Sequence, residues 1–321
     1  MIARRSLLTS IPALIATPAL AQSGGFSAFL DSVRAQARRA GISSATLQRA
    51  LFGLQPNSKV LEHERHQPEF TLTWAQYRAL LVTDQRIQAG RAAWQRNRTI
   101  FQQVQQTYGV SPAVILGIWG LESSFGTKTG DFHVVDALAT LGWASSRPSF
   151  FRSELIAALR ILDAGDVTSA RMTGSYAGAM GQPQFMPSSY LRYAVDIEGT
   201  GRPDIWTSTP DVLASIANYL LRSGWRTGET WGQPVTLPPA FDSSLTGRDN
   251  RRPVTEWLRM GVRPTSGRLL AYANQSAAVV QPDGPGGEAF LAYANFTAIR
   301  RYNPSDFYAL AVGLIGDGIL A

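Results

Sequence analysis

The 321-residue chain has no cysteine, only three histidines and only two lysines. The absence of cysteine excludes disulfide scaffolds, thiol nucleophiles and metal sites with cysteine ligands. The histidines, His63, His66 and His133, leave little for a histidine-based metal centre. The 23 acidic residues divide into 14 Asp and nine Glu, so acid–base chemistry has few candidate groups.

The charge is biased towards arginine. Basic residues outnumber acidic ones by 30 to 23, and 28 of the 30 are arginine. A basic chain can bind nucleic acid, an anionic membrane or an anionic polymer, or it can present a solvated surface. The arginines are scattered, and pairs such as Arg251-Arg252 are the densest groups. Because zinc-finger spacing and basic heptads are also lacking, we expect no nucleic-acid partner.

The first 21 residues have the pattern of a secretory signal. Arg4-Arg5 precedes an apolar stretch, and Ala19-Leu20-Ala21 fits the small-x-small cleavage rule. The stretch is too short for a transmembrane anchor, and without cysteine a lipid anchor at the cleavage site is excluded. We therefore expect a soluble periplasmic protein that begins near Gln22, exported by the Sec or the twin-arginine route. No later run of the sequence is long and apolar enough for a membrane helix.

Residues 111–126 predict a buried helix with a carboxylate near its end. Ser111 is a natural N-cap, Pro112 suits the first helical position, and the body is apolar nearly all round. Gly126 marks the expected end, which places Glu122 alone in the last turn. The C-terminal end of the helix dipole and apolar neighbours both raise the pKa of a carboxyl, so Glu122 could act as a general acid. The alternative is an exposed or arginine-paired glutamate at a frayed helix end.

A glycine-rich stretch, residues 174–190, has the composition of a sugar-binding cleft. Its small residues let backbone approach a ligand, while Tyr176, Gln184 and Phe185 offer stacking surfaces and an amide. It lacks the Gly-Lys-Ser/Thr ending of a phosphate-binding loop. A tightly packed helix–loop junction fits the composition equally well.

A calcium loop is one interpretation of the segment after Asp196. Asp196, Glu198 and Thr200 stand at alternate positions, and Arg202 would offer its backbone carbonyl at the seventh. The twelfth position is not Glu, although Asp211 could close a longer loop. The other interpretation is a polar surface turn.

Apolar spacing predicts several further elements. The aromatic residues of Thr71–Tyr108 predict a long helical stretch that ends at Gly109. Apolar runs on either side of Pro282–Gly287 predict a hairpin, and a final apolar helix is expected up to Leu320.

Three blocks of the sequence resemble the lytic murein transglycosylase B family: residues 120–126 (GLESSFG), residues 174–190 and Tyr302-Asn303. Their order and spacing match, and the similarity covers most of the chain after Phe26. The resemblance implies a mainly α fold, with a lysozyme-like helical catalytic core, an N-terminal helical region and a small β-containing insertion. The implied divisions are a signal peptide (1–21), the N-terminal region (22–110), the core (111–232, completed by 295–321) and the insertion (233–294).

The resemblance also implies a lytic transglycosylase, an enzyme that cleaves the MurNAc–GlcNAc β-1,4 bond of peptidoglycan and leaves 1,6-anhydro-MurNAc. Glu122 would act first as acid and then as base. Ser175 and Asn303 would orient Glu122 or the substrate acetamido group, Gln184 would bind sugar, and Tyr219, Tyr302 and Tyr308 would line the cleft. No cofactor is required, although some members hold a structural calcium ion at the Asp196 loop. We expect a monomer whose partner is the peptidoglycan strand; the alternatives are a hydrolytic muramidase of the same fold and a non-catalytic wall-binding protein.

Overall fold

The computed structural model describes residues 25–65, 72–266 and 275–321. The signal segment predicted at residues 1–21 lies outside these residues. The helices are α1 (Phe26–Arg39), α2 (Ser44–Leu51), α3 (Ser58–Arg65), α4 (Trp74–Leu81), α5 (Asp84–Arg96), α6 (Arg98–Tyr108), α7 (Pro112–Ser123), α8 (Val134–Ala144), α9 (Pro148–Ala164), α10 (Pro187–Tyr193), α11 (Thr209–Arg222), α12 (Val254–Arg259), α13 (Ala294–Tyr302) and α14 (Asp306–Leu320). The mainly helical fold predicted from the sequence is confirmed.

Two small antiparallel sheets accompany the helices. Their strands are β1 (Phe132–His133), β2 (Thr173–Gly174), β3 (Gly232–Thr236), β4 (Arg251–Pro253), β5 (Arg263–Pro264), β6 (Ser276–Val280) and β7 (Ala289–Ala292). β1 pairs with β2, and the other five strands form one sheet in the order β4-β6-β7-β3-β5. The predicted hairpin around Pro282–Gly287 is confirmed, because β6 and β7 flank it with Val279 opposite Leu291.

The predicted long helical stretch before Gly109 is divided into α4, α5 and α6. Thr83 interrupts it, since its side chain accepts a hydrogen bond from the Arg86 N–H (3.2 Å) and thereby starts α5 as an N-cap. Asn97 ends α5 and precedes α6. The predicted stop at Gly109 is confirmed, because this glycine adopts a left-handed conformation after α6.

The antiparallel pair α7 and α14 forms the centre of the larger apolar core. The two backbones approach closely at two glycines. A Cβ on Gly117 would lie 2.1 Å from the Val312 carbonyl oxygen, and one on Gly316 would lie 2.2 Å from the Ala113 carbonyl oxygen. Only glycine therefore fits at these positions, and the contact fixes the C-terminal end of α7 against the N-terminal end of α14.

The central strands of the five-stranded sheet, β6 and β7, are buried on both faces. On β7, Leu291 packs into a small core around Trp257, whereas Phe290 on the opposite face joins the larger core. The β6–β7 turn also holds α4: the carboxylate of Asp283 accepts hydrogen bonds from the Trp74 N–H (2.6 Å) and the Ala75 N–H (3.0 Å). An acid at a helix N-terminus is favourable, so the sheet and α4 support each other.

A second core lies between α1, α2, α8 and α9. It supports β1 and β2 and the glycine-rich stretch that follows β2. Within residues 25–65, 72–266 and 275–321, none of the helices has the length and apolar character needed to cross a membrane.

Candidate active site

Glu122 lies in the last turn of α7, as predicted. The helix ends at Ser123, and the next two residues adopt left-handed conformations, with φ of 48° at Ser124 and 59° at Phe125. Such angles are uncommon for residues with a side chain and store strain. The Phe125 ring compensates by packing edge-on against Trp119 at 5.7 Å, above the Cα of Gly120. This tight turn fixes the direction in which the Glu122 side chain leaves the helix.

Tyr308, in the first turn of α14, donates a hydrogen bond from its hydroxyl to Oε1 of Glu122 at 2.6 Å. Ser305 caps this helix by accepting a hydrogen bond from the Tyr308 N–H. Burial beside Glu122 raises the pKa of Tyr308 well above its ordinary value, so the hydroxyl stays protonated and remains a donor. Among the described residues, Tyr308 is the hydrogen-bond partner found for the Glu122 carboxyl.

Burial raises the pKa of Glu122 from 4.5 to about 7, while the hydrogen bond from Tyr308 opposes part of that rise. Burial disfavours the charged carboxylate, and a donor favours it. A pKa near neutrality lets one carboxyl release a proton and take one back at the same pH. Glu122 therefore has the raised pKa that its apolar helix predicts, and burial outweighs the opposing hydrogen bond from Tyr308.

The predicted tyrosines form a continuous wall that begins at Tyr308. Tyr302 stacks on Tyr308 with ring centroids 6.5 Å apart, and Tyr219 lies 4.6 Å from Tyr302. The Tyr302 hydroxyl donates to the Pro183 carbonyl (2.6 Å), and the Tyr219 hydroxyl donates to the Arg301 carbonyl. Rings from α11, α13 and α14 thus form one continuous aromatic row that ends at the hydrogen-bond partner of Glu122.

Ser175, Gln184 and Asn303 bond mainly to nearby backbone. The Ser175 hydroxyl accepts from the Ala179 N–H (3.1 Å), inside the glycine-rich loop. The Gln184 amide donates to the Thr129 carbonyl (2.9 Å) and to the Gly181 carbonyl (2.7 Å). The Asn303 side chain accepts from the Ser305 N–H (3.1 Å). These contacts order the backbone around the three residues, and the Gln184 amide nitrogen is already engaged by the Thr129 and Gly181 carbonyls.

Two further residues support the site without having been singled out from the sequence. Gln182 is 7% exposed and joins two tryptophans, accepting from the Trp119 indole (2.9 Å) and donating to the Trp206 carbonyl (3.0 Å). Tyr77 of α4 packs on Phe307, the neighbour of Tyr308. Gln182 lies within the glycine-rich stretch, residues 174–190, so the sequence already offered its amide as a candidate polar group. Tyr77 lies on another helix, and the residues around it in the sequence do not indicate a role near Glu122.

The loop after Asp196 is closed by its own hydrogen bonds. The Asp196 carboxylate accepts from the Thr200 N–H (3.0 Å) and the Gly201 N–H (2.5 Å). The Thr200 hydroxyl lies 3.4 Å from Oδ1 of Asp196 and 3.3 Å from the Arg202 carbonyl oxygen. Three oxygens at the first, fifth and seventh positions of the calcium-loop pattern therefore converge.

The other two predicted calcium ligands have competing partners. Glu198 accepts from the Ser208 hydroxyl (2.8 Å), and Asp211 accepts from the backbone N–H groups of Ile197 (3.0 Å) and Asp204 (2.8 Å). Burial raises the pKa of Asp211, and the negative charges of Asp196 and Glu198 add to the rise. Across the described parts of the chain, no cluster of three or more acidic or histidine side chains has the geometry to hold a metal ion.

The sequence of this chain is similar to those of known proteins. Residues 25–317 match the family model described as the transglycosylase SLT domain. The membrane-bound lytic murein transglycosylase B of Escherichia coli (strain K12) is 33% identical over 252 residues, which cover 77% of this chain and 67% of that protein.

Solved structures are similar over nearly the whole chain. SltB3 from Pseudomonas aeruginosa, in complex with NAG-anhNAM-pentapeptide, superposes with a TM-score of 0.88 at 43% identity, over 92% of this chain and 80% of that one. The Escherichia coli lytic transglycosylase Slt35 in complex with calcium gives a TM-score of 0.77 at 30% identity, over 94% and 95%. The chain belongs to the transglycosylase SLT domain family, whose members are lytic murein transglycosylases, enzymes that cleave peptidoglycan.

Proposed function

We propose that this enzyme cleaves the β-1,4 bond between MurNAc and GlcNAc and converts the MurNAc to its 1,6-anhydro form, with Glu122 as acid and then as base. The observation that carries the proposal is the short Tyr308–Glu122 hydrogen bond around a carboxyl whose pKa is about 7. The similarity to SltB3, whose solved complex contains NAG-anhNAM-pentapeptide, supports the same product.

In the first step, protonated Glu122 gives its proton to the glycosidic oxygen. The C1–O bond breaks, the electron pair leaves with the GlcNAc oxygen, and C1 of MurNAc develops oxocarbenium-like positive charge. The substrate's own 2-acetamido group supports that centre, so a second protein carboxylate is not required. The apolar end of α7 keeps enough Glu122 protonated near pH 7 for this step.

In the second step, ionised Glu122 takes the proton of the MurNAc C6 hydroxyl while that oxygen attacks C1. One O–H bond breaks, one C–O bond forms, and the carboxyl returns to its protonated state. The Tyr308 hydroxyl stabilises the intervening carboxylate by donating to it. We assign Tyr219 and Tyr302 to the cleft wall, and Ser175, Gln184 and Asn303 to orienting the loops around Glu122.

The test of this proposal is mass analysis of products released from purified sacculi. We expect muropeptides that end in anhydro-MurNAc, without new reducing ends, because the C6 hydroxyl replaces water as the nucleophile. Reducing MurNAc ends without anhydro products would establish a hydrolytic muramidase. The absence of any released product would favour the non-catalytic wall-binding protein.

We propose that the enzyme works in the periplasm as a monomer after removal of residues 1–21. The signal pattern of the sequence supports the location, and the mass of the protein purified for the product assay will show whether it begins near Gln22. The monomer is supported by Glu122, Tyr308 and Tyr302 all belonging to one chain. We also propose the predicted divisions, with 111–232 and 295–321 as one catalytic core and 233–294 as an insertion into it.

We further propose that the Asp196 loop is a low-affinity calcium site. The convergence of Asp196, Thr200 and the Arg202 carbonyl supports binding, and so does the calcium complex of the similar Slt35. An ion must displace the hydrogen bonds to Glu198 and Asp211, and a neutral hydroxyl at residue 200 contributes little charge. When bound, calcium would neutralise the mutual repulsion of these acids and take no part in the chemistry at Glu122.

Calcium titrations of the melting temperature test this site. For the wild type we expect no shift at about 0.1 mM calcium and a small rise at about 10 mM, the behaviour of a site with a dissociation constant in the millimolar range. Thr200→Asp supplies a carboxylate at the fifth position and is expected to move the rise to lower calcium, while Thr200→Val should abolish it. A wild-type rise at micromolar calcium, or no response in Thr200→Asp, would contradict the proposal.

A further inference from the structure

A polar cavity lies where α13, the segment after α11 and strand β4 meet. It has a volume of about 580 Å³ and is lined by Arg226, Arg251 and Arg301. These residues come from three separate places: the segment after α11, strand β4 and the last turn of α13. The lining also includes Ser223 and Thr297, whose hydroxyl groups can form hydrogen bonds. The folded chain thus gathers three guanidinium groups that the sequence keeps apart.

The charges in this cavity are incompletely balanced. Arg226 has an acidic neighbour, with its guanidinium 3.7 Å from the Glu229 carboxylate. Within the described residues, neither Arg251 nor Arg301 has a carboxylate at salt-bridge distance. Burial and the nearby positive charge of Arg226 lower the pKa of Arg251, while the negative charge of Glu229 opposes part of this effect. Like charges held this close repel each other, and an anion placed between them would relieve the repulsion.

The cavity is connected to the active site through α13. Ala294, Thr297, Ala298 and Arg301 lie on one face of this helix and line the cavity. The next residue, Tyr302, belongs to the tyrosine wall, and the Tyr219 hydroxyl donates to the backbone carbonyl of Arg301. Arg301 therefore contacts the wall through its backbone carbonyl and the cavity through its own position in the lining, so the two features adjoin at this residue.

We propose that Arg226, Arg251 and Arg301 bind a carboxylate of the stem peptide carried by the MurNAc residue in the cleft. The inference rests on the proposed function, because a peptidoglycan strand must first occupy the tyrosine wall. Planar guanidinium groups bind carboxylates through paired, charge-assisted hydrogen bonds, and three of them in a concave site suit such a group. The solved SltB3 complex, whose ligand carries a pentapeptide, shows that a similar enzyme binds peptide-bearing sugars.

The experiment compares two substrates that differ only in the peptide. Glycan strands are used either with their stem peptides or after an amidase has removed them, and kcat and KM are measured for the anhydro products. For Arg251→Gln and for Arg301→Gln, we expect kcat/KM on peptide-bearing strands to fall about 10-fold, through KM, with little change on stripped strands. Arg251→Lys, which keeps the charge, should recover part of the loss.

Arg259→Gln is the matched control, since Arg259 is an exposed arginine of the inserted region that does not line the cavity. It should leave both substrates unaffected. Equal losses on both substrates, or no loss in either cavity variant, would overturn the peptide site while the wild type still releases anhydro products. A wild type that releases no anhydro product from either substrate would instead overturn the proposed function and this inference with it.

Discussion

Replacing Glu122 with Gln is expected to lower the release of anhydro products by about 10³-fold, the scale of a lost general acid–base group. The amide oxygen can still accept the Tyr308 hydrogen bond, so the geometry of the site is preserved while proton transfer is abolished. Product release from peptide-bearing strands, measured by mass analysis, gives the rate. A variant that retains more than about a tenth of the wild-type rate would contradict the role of Glu122.

The same substitution should stabilise the fold at alkaline pH. The Glu122 pKa is about 7 in the folded chain and 4.5 in the reference state, so the free energy of unfolding falls as the pH rises between these values. Glu122→Gln removes that loss, which amounts to up to about 3 kcal/mol at pH 8. We expect the two proteins to have similar stability at pH 4 and the variant to melt higher at pH 8.

Asp317→Asn is the matched control for Glu122→Gln. Burial raises the pKa of Asp317 to about 6, and its carboxylate accepts a hydrogen bond from the Trp231 indole (3.0 Å). Asp317 lies near the C-terminal end of α14, away from Tyr308. It therefore has a raised pKa without contact to the site, and its variant should keep its activity. Loss of activity in Asp317→Asn would show that the loss seen in Glu122→Gln does not depend on the position of Glu122 beside Tyr308.

Replacing Tyr308 with Phe is expected to shift the pH dependence of the reaction as well as its rate. The Tyr308 hydrogen bond lowers the pKa of Glu122, so its removal raises that pKa further above 7. The acid must be protonated in the free enzyme, and kcat/KM falls as the pH passes its pKa. The alkaline limb of the profile should therefore move to higher pH, while kcat falls by about 10- to 100-fold because the carboxylate formed in the first step loses its donor.

Tyr302→Phe makes the same chemical change one ring away. The Tyr302 hydroxyl donates to the Pro183 carbonyl and not to Glu122, so its removal should leave the alkaline limb where it is. Profiles of kcat/KM from pH 5 to 9 for the two variants separate a titration effect from a packing effect. Equal shifts in both variants, or no shift in Tyr308→Phe, would contradict the hydrogen bond as the determinant of the Glu122 pKa.

Local rules were sufficient for much of this fold. Gly109 stops α6, Glu122 lies in the last turn of α7, and a hairpin turns at Pro282–Gly287, each because a few neighbouring residues decide the outcome. The division of the helical stretch before Gly109 into three helices was not predicted, because the apolar spacing continues across the breaks. Thr83 and Asn97 break the helix by side-chain hydrogen bonds, which periodicity does not register.

Long-range contacts determine the rest of the candidate site. The family resemblance pointed to Tyr308 as a cleft residue, but its hydrogen bond to Glu122 depends on how α7 meets α14. Gln184 was expected to bind sugar, whereas its amide nitrogen is engaged by the Thr129 and Gly181 carbonyls. Which carbonyl groups engage an amide of the loop, and which tyrosine reaches an acid, follow from three-dimensional packing that no spacing rule contains.

The contact between α7 and α14 also governs when lytic activity can arise. The acid Glu122 and its donor Tyr308 are 186 residues apart, and they meet only after α14 has docked on α7. A contact of such sequence separation forms late in folding, because the intervening chain must first be ordered. An unfolded or partly folded chain therefore carries the acid without its donor. The wall-degrading activity is in this way coupled to completion of the fold, because the acid gains its donor only in the folded chain.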